Sequence, residues 1–272
     1  MAGHAAPRAL ASTQPKVAPI PGTLAILEVE GVRKAFGSLL AVDDVSFSVA
    51  EREVLGIAGP NGAGKTTLFN LISGLPFAAD RGRVTFAGTR IEAMAPHRIF
   101  RLGLARTFQK EAVFAKLTVE QNVSIGATFG RRLAWRDRLR AIDATLELLD
   151  LHRERHQLAG SLPVFATKRL MLASAVVNRP KLLMLDEPAS GLNAAELADV
   201  RRLIGRLQQS GMSIILIEHI LPLLFGISDR VMVMNFGRKL AEGPPAEIAR
   251  NPQVIEAYLG GEGKVPINVL GG

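Results

Sequence analysis

The amino-acid sequence predicts an α/β protein with a mostly parallel β-sheet that helices cover on both faces. Short apolar segments typical of buried strands alternate along the chain with amphipathic segments typical of helices, and this alternation favours a parallel sheet. A glycine-rich segment joins one of these strands to one of these helices, as in many phosphate-binding loops. The chain of 272 residues is long enough for one large domain with a smaller lobe inserted in it.

The first part of that domain is predicted to be rich in strands. Four segments either alternate between apolar and polar residues or end in a continuous apolar run, and they span 26–36, 42–50, 51–59 and 81–90. A helix is predicted from Lys65, and Gly74 stands where a helix is expected to end.

A helical lobe is then predicted to interrupt the sheet. Over about 110–178 the sequence is mainly helical in character, charged and poor in strand signals. Residues 181–188 and 212–219 predict buried parallel strands, with a helix over 194–211 between them. The domain is expected to close with a hairpin that turns at Asn235–Gly237.

The ends of the chain and its composition narrow the class of protein. Residues 1–23 are rich in Ala and Pro and lack the continuous apolar core of a signal peptide, so we expect a flexible arm. Residues 261–272 are expected to form a loose tail, which leaves 24–260 as the domain. The absence of cysteine excludes disulfides and thiolate metal sites. No apolar run reaches membrane-spanning length.

The net charge of +8 has three interpretations: a nucleic-acid surface, a surface lying against an anionic membrane leaflet, or a solvated basic face. The densest basic cluster, Arg131–Arg140, contains one Trp and no series of aromatic residues on which bases could stack. It continues into a helix-like segment, which favours an amphipathic helix. We therefore expect no nucleic-acid partner.

The segment GPNGAGKT, Gly59–Thr66, fits the phosphate-loop pattern G-x-x-x-x-G-K-[ST] between an apolar strand and a helix. Its backbone N–H groups and the helix N-terminus favour phosphate oxygens. Lys65 is expected to reach the β- and γ-phosphates, Thr66 to ligate Mg²⁺ and Thr67 to contact the α-phosphate. The loop residues expected to surround the nucleotide are Gly59, Pro60, Asn61, Gly62, Ala63 and Gly64.

Two carboxylates follow a second buried strand in LLMLDEP, Leu182–Pro188. Open α/β sheets bind ligands at the carboxyl ends of their strands. Asp186 is expected to hold Mg²⁺, mostly through water, and Glu187 to polarise the attacking water. Alone, such a pair is as typical of caps or salt bridges; with the phosphate loop it predicts a nucleotide hydrolase.

Together these motifs resemble the ATP-binding cassette (ABC) ATPase family. Leu104–Gln109 is similar to the family's glutamine loop, Ile215–His219 to its switch histidine and Ser190–Asn193 to its dimer-contact loop. The resemblance covers Ile26–Gly260. It implies a P-loop core, an antiparallel β subdomain near the N-terminus and an inserted helical subdomain.

The resemblance also implies roles for single residues. Gln109 is expected to sense Mg²⁺ and water and to act at the metal, and His219 to contact the γ-phosphate. Phe36 matches the aromatic residue that stacks on adenine; the alternative is an ordinary core Phe at a strand end. Asn193 stands where many cassettes have Asp and is still able to cap a helix.

Residues 226–260 look most like ATPase subunits of branched-chain amino-acid importers. The resemblance then implies ATP and Mg²⁺, a head-to-tail dimer with a second cassette or with itself, and separate integral-membrane permease subunits. A solute-binding protein outside the cytoplasm would act indirectly, and the chain would be peripheral on the cytoplasmic face of the inner membrane. The alternatives are a soluble ABC ATPase acting on nucleic acid or ribosomes, and a regulatory cassette with little hydrolysis.

One turn departs from the family pattern. The family's signature turn, Leu-Ser-Gly-Gly-Gln, presents a hydroxyl and glycine N–H groups to the partner's nucleotide, and here the aligned residues are Leu162, Pro163, Val164, Phe165 and Ala166. Pro163 has neither hydroxyl nor N–H, and the bulk of Phe165 is expected to block close approach. A helix N-terminus, the hydroxyl of Ser161 or Thr167 and the charge of Lys168 are expected to leave a weakened anion site.

Overall fold

The structure, a computed structural model, describes residues 24–108, 112–130 and 134–259. Its strands form two sheets. The first sheet is antiparallel, has the order β2-β1-β4-β5 and consists of β1 (Ala25–Phe36), β2 (Leu39–Ala50), β4 (Arg81–Phe86) and β5 (Thr89–Arg90).

The second sheet has six strands in the order β10-β9-β3-β8-β7-β6. These are β3 (Val54–Ala58), β6 (Leu104–Arg106), β7 (Leu182–Asp186), β8 (Ser213–Ile217), β9 (Arg230–Asn235) and β10 (Arg238–Gly243). All neighbours are parallel except β9 and β10, which form the predicted hairpin. Every residue of β3, β7 and β8 is buried, as expected for a sheet covered on both faces.

The helices lie between these strands along the chain. They are α1 (Lys65–Ser73), α2 (Pro96–Leu102), α3 (Val119–Phe129), α4 (Trp135–Leu148), α5 (Val164–Val176), α6 (Ala194–Gln209), α7 (Leu221–Ile227), α8 (Pro245–Ile248) and α9 (Pro252–Leu259). Within the described ranges, none of them combines the length and the apolar character needed to cross a bilayer.

Helices α3, α4 and α5 lie between β6 and β7 in the chain, where the helical lobe is predicted. A capping box begins α3, because the Thr118 hydroxyl accepts from Gln121 N at 3.2 Å and the Gln121 side chain accepts from Thr118 N at 2.8 Å. Gly126 and Asn178 join α3 to the end of α5, since the Asn178 amide donates to Gly126 O at 2.7 Å.

Two apolar cores flank the six-stranded sheet. One core lies between this sheet and the antiparallel sheet and includes Leu27, Phe69 and Met232. The other lies under α3 to α7 and includes Leu170 and Leu185. The predicted fold class, a mostly parallel sheet with an antiparallel β subdomain and inserted helices, is confirmed. The predicted arm, 1–23, and tail, 261–272, lie outside the described residues.

Candidate active site

Three neighbouring strands place the predicted site residues at one edge of the sheet. In the six-stranded sheet β8 lies between β3 and β7, and all three are parallel. The phosphate loop follows β3, Asp186 ends β7, and Glu218 and His219 follow β8. The carboxyl ends of parallel strands share an edge, so three segments far apart in sequence meet there.

Glycine is required in the phosphate loop because the backbone there is left-handed and closely approached. Gly64 has a φ of +96°, and a Cβ at this position would lie 2.3 Å from Ala41 O. Gly64 is also the residue before α1 and offers no side chain to cap it. The first N–H groups of α1 are therefore left to bind an anion.

Lys65 folds back onto the loop that precedes it. Its Nζ donates to Gly59 O at 2.7 Å and to Pro60 O at 3.0 Å, and the residue is buried. Burial lowers the pKa of Lys65, and the negative charges of Glu187 and Asp186 oppose that shift. The ammonium is thus held by two neutral carbonyls, which a phosphate can replace with a charged partner.

Asp186 is buried beside an arginine that sequence reasoning missed. Arg106 donates to Asp186 Oδ2 at 3.0 Å and to Asn70 Oδ1 at 2.7 Å. Burial raises the pKa of Asp186, and the Arg106 guanidinium opposes that shift. The other carboxylate oxygen, Oδ1, is buried with no hydrogen-bond partner among the described residues. Arg106 lies within Leu104–Gln109, so its motif was recognised while its role was not.

That unpartnered oxygen fits a hard cation. Magnesium prefers oxygen ligands and keeps several waters, so one carboxylate and one hydroxyl of the protein suffice. Thr66, in the first turn of α1, lines the cavity at this edge of the sheet and is the expected source of the hydroxyl, while Asp186 does not line that cavity. Gln109, the third residue predicted to act at the metal, lies outside the described residues.

Glu187 and His219 are brought into direct contact. His219 Nε2 and Glu187 Oε1 form a hydrogen-bonded pair. Glu187 has a φ of +51°, a conformation rare for a residue with a side chain, and Glu187 N donates to Ile217 O at 3.0 Å. Backbone strain of this kind clusters at functional sites, and here it directs the carboxylate toward the end of β8.

A second buried acid, Glu218, joins the loops after β7 and β8. Its carboxylate accepts from Ala189 N at 2.7 Å and from His219 N at 3.2 Å. Burial raises the pKa of Glu218, and these N–H donors oppose the shift. Glu218 therefore fixes His219 relative to the turn that carries Glu187, a role that its adjacency to His219 in the sequence does not reveal.

A cavity of about 390 Å³ opens at this edge. Its lining consists of Leu39, Leu40, Ala41, Asn61, Gly62, Ala63, Gly64, Lys65, Thr66, Thr67, Glu187, His219 and Phe236. Of the predicted residues that the structure describes, Phe36, Gly59, Pro60 and Asp186 lie outside that lining. The apolar members Leu39, Leu40 and Phe236 were not predicted; an exposed Phe in a hairpin turn was the available signal.

Phe36 lies at the end of β1 and does not line the cavity. Its ring meets that of Phe77 edge-on with centroids 4.9 Å apart, and the residue is 43% exposed. The alternative interpretation, an ordinary core Phe, is therefore wrong. The adenine contact stays a prediction.

The altered signature turn forms the start of α5. Pro163 precedes the helix and gives it no side-chain cap. Both candidate hydroxyls are already used as donors, since Ser161 Oγ donates to Leu158 O at 2.8 Å and Thr167 Oγ1 to Pro163 O at 3.2 Å. Both hydroxyls are therefore engaged within the chain, and the weakened anion site stays a prediction.

The side chain exposed at this turn is also not the one that the sequence predicts. Phe165 is partly buried, and its ring lies 5.1 Å from the Arg169 guanidinium. Val164 is the half-exposed side chain at the helix start. What replaces the signature on the surface is thus a valine beside a proline, with the N–H groups of the first turn of α5 still available.

Comparisons with known proteins agree with this geometry. Residues 42–190 match the family model of ABC transporters, and residues 238–264 match that of branched-chain amino acid ATP-binding cassette transporters. The chain is 38% identical to the high-affinity branched-chain amino acid transport ATP-binding protein BraF of Pseudomonas aeruginosa and 38% identical to LivG of Salmonella typhimurium. Each alignment covers 86% of this chain and 98% of the relative.

Among solved structures, the ADP conformation of MJ1267, an ATP-binding cassette of an ABC transporter, superposes with a TM-score of 0.79 and 31% identity. That match covers 88% of this chain and 100% of MJ1267. The motifs meet at one edge of the sheet, and the similarity to these relatives extends over most of the chain. The chain therefore belongs to the ATP-binding cassette family of ABC transporters.

Proposed function

We propose that this chain is the ATP-hydrolysing subunit of an importer for branched-chain or related amino acids. One observation supports ATP hydrolysis most strongly: four residues meet at one edge of the sheet, namely Lys65, Asp186, Glu187 and His219. The names of BraF and LivG and the family match over 238–264 support the solute class. The chain would act peripherally on the cytoplasmic face of the inner membrane, driving separate permease subunits.

In this proposal the phosphate loop binds the ATP phosphates through its N–H groups and through Lys65, which exchanges the carbonyls of Gly59 and Pro60 for phosphate oxygens. Glu187 polarises the attacking water, and His219 holds that carboxylate in place and contacts the γ-phosphate. Magnesium, when bound by Thr66 and Asp186 with Gln109, supplies charge stabilisation to the transferring phosphoryl group.

The two other candidate functions have less support. The hypothesis of an ATPase that acts on nucleic acid is supported by the net charge alone. The relatives that match most of the chain are transport proteins. A regulatory cassette with little hydrolysis rests on the altered signature turn. The paired Glu187 and His219 oppose it, because they are the groups that hydrolysis needs and binding does not.

The altered turn favours an asymmetric pair of cassettes. In a head-to-tail dimer, the phosphate loop of this chain would pair with the signature of a second, different cassette to make the active site. The partner's phosphate loop would face Pro163 and Val164 of this chain, with two hydroxyls already used. Loss of one transition-state donor lowers rates by about 10²–10³, so that second site would bind ATP and hydrolyse it slowly.

Transport tests the proposed function directly. In vesicles carrying the permease and both cassettes, we expect ATP-dependent uptake of labelled leucine, and we expect Lys65→Ala to abolish it because the phosphates lose their main cationic partner. Arg83→Ala, on the exposed surface of β4, is the matched control. Uptake that is unaffected by Lys65→Ala would sink the proposal, and ATP-driven uptake of another solute class alone would overturn the solute assignment.

A further inference from the structure

The C-terminal helix touches the phosphate loop through the single tyrosine of the chain. Helix α9 carries Tyr258, whose hydroxyl oxygen accepts a hydrogen bond from Gly59 N at 2.6 Å. Tyr258 falls within 238–264, the segment that matches the branched-chain family model, and outside the general ABC match over 42–190. A residue of the more specialised segment thus contacts the residue at which the phosphate loop begins.

Gly59 is held on three sides. Its φ is +144°, and a Cβ there would lie 2.2 Å from Met234 O. Its carbonyl accepts from Lys65 Nζ at 2.7 Å, and its N–H donates to Tyr258. Because the N–H and the carbonyl of one residue, Gly59, contact Tyr258 and Lys65, displacement of the tyrosine hydroxyl would disturb the carbonyl that positions Lys65 in the absence of phosphate.

The hydroxyl is suited to hold this N–H without competing for phosphate. Tyr258 is partly buried against the core under the helices, and burial raises its pKa to about 12, so the phenol stays neutral at ordinary pH. Beyond this contact, a cavity of about 730 Å³ separates Pro60–Ala63 from Gln253, Glu256 and Ala257 of α9. Side chains do not fill the space between α9 and the phosphate loop at this cavity, so the hydrogen bond from Gly59 N to the Tyr258 hydroxyl is what joins them there.

We propose that Tyr258 is a positioning residue, which holds the phosphate loop in its nucleotide-binding shape through Gly59 and so links α9 to nucleotide occupancy. This inference rests on the proposed ATP-binding function of the loop. Because Tyr258 does not reach the cavity that Glu187 and His219 line, its loss affects nucleotide affinity more than the chemical step.

Tyr258→Phe removes the oxygen and keeps the ring. We expect ATP affinity and KM to weaken by about three- to tenfold, the equilibrium equivalent of one hydrogen bond, while kcat at saturating ATP changes by less than about twofold. Thr145→Val is the matched control, because it deletes a buried hydroxyl that donates to Ala141 O at 2.7 Å within α4. A merely structural role would lower the melting temperature of both variants alike and leave ATP affinity unchanged in both, and that result would overturn the proposal.

The single tyrosine also gives a direct spectroscopic readout. The full chain labelled with 3-fluorotyrosine is expected to show one fluorine NMR signal, which shifts saturably as ATP is added with Mg²⁺. A signal that stays unshifted while the wild-type chain binds ATP would overturn the coupling and leave the proposed function intact. Absence of ATP binding by the wild-type chain would instead overturn the proposed function.

Discussion

At the scale of single residues, the buried pair of Arg106 and Asp186 lies where Mg²⁺ is expected to bind. Their side chains are 6% and 2% exposed, so neither charge is stabilised by water. Arg106 donates to one carboxylate oxygen, and the other has no hydrogen-bond partner in the part of the chain that the structure describes. The arginine thus opposes the rise that burial gives to the pKa of Asp186.

Arg106→Met leaves the Asp186 carboxylate buried without its cation, so its pKa rises further and a smaller fraction is in the ionised form that is expected to bind Mg²⁺. Each tenfold loss of that form corresponds to one pKa unit. We expect ATPase activity near neutral pH to fall by at least about tenfold and to recover as pH and Mg²⁺ concentration rise. Activity measured over a grid of pH and Mg²⁺ checks this.

The control for that experiment is Arg83→Met, which breaks an exposed pair with Glu30 at 3.4 Å. Exposed pairs contribute about 0–1 kcal/mol, whereas breaking a buried pair costs about 3–5 kcal/mol. A wild-type Mg²⁺ requirement in Arg106→Met would contradict the role given to Arg106.

At the scale of elements, the start of α6 keeps its cap although Asn replaces the usual Asp. Asn193 Oδ1 accepts from Ala195 N at 3.0 Å and Glu196 N at 3.1 Å, and Glu196 accepts from Asn193 N at 2.9 Å. This capping box bears out the expectation that Asn193 still caps a helix.

Asn193→Ala removes that cap and is expected to lower the free energy of unfolding by about 0.5–2 kcal/mol. Asn193→Asp keeps an acceptor at the same place and serves as the control, with stability close to wild type. Urea unfolding of the three chains checks the order. Equal stability of the Ala variant and the wild type would show that the box contributes nothing to folding.

Other elements show where prediction from sequence succeeds. The strands β3, β7 and β8 were predictable because a buried strand is a continuous apolar run, and the β9–β10 hairpin because its turn contains Gly237. The loop at Gly59–Thr66 was predictable because its glycines are demanded by local backbone geometry.

Contacts between distant segments were not predictable in the same way. Tyr258 and Gly59 are 199 residues apart, and Arg106 and Asp186 are 80 apart. No local pattern records which partner each meets, since that depends on sheet order. The direction of Phe165 was also missed, because a residue type does not say which side of a helix start faces the core.

At the scale of the whole molecule, the phosphate loop lies where the two sheets meet. Gly237 in the β9–β10 turn donates to Ala63 O at 3.1 Å, and its own carbonyl accepts from Asp43 N of β2 at 2.8 Å. Gly64 also approaches Ala41 of β2, since a Cβ at Gly64 would lie 2.3 Å from Ala41 O. A nucleotide bound here would therefore contact the parallel sheet, the antiparallel sheet and the turn between them.

The altered turn at Pro163 and Val164 leads to the central proposal, that Glu187 serves the productive ATP site of an asymmetric pair of cassettes. The steady-state rate of ATP hydrolysis in the assembled transporter tests it most directly, with Glu187→Gln in this chain compared with the equivalent change in the partner cassette. We predict that Glu187→Gln lowers the rate by about 10²-fold or more at unchanged ATP affinity, as loss of a general base does, and that the partner's change leaves the rate near wild type. A Glu187→Gln transporter that hydrolyses ATP at close to the wild-type rate would contradict the account.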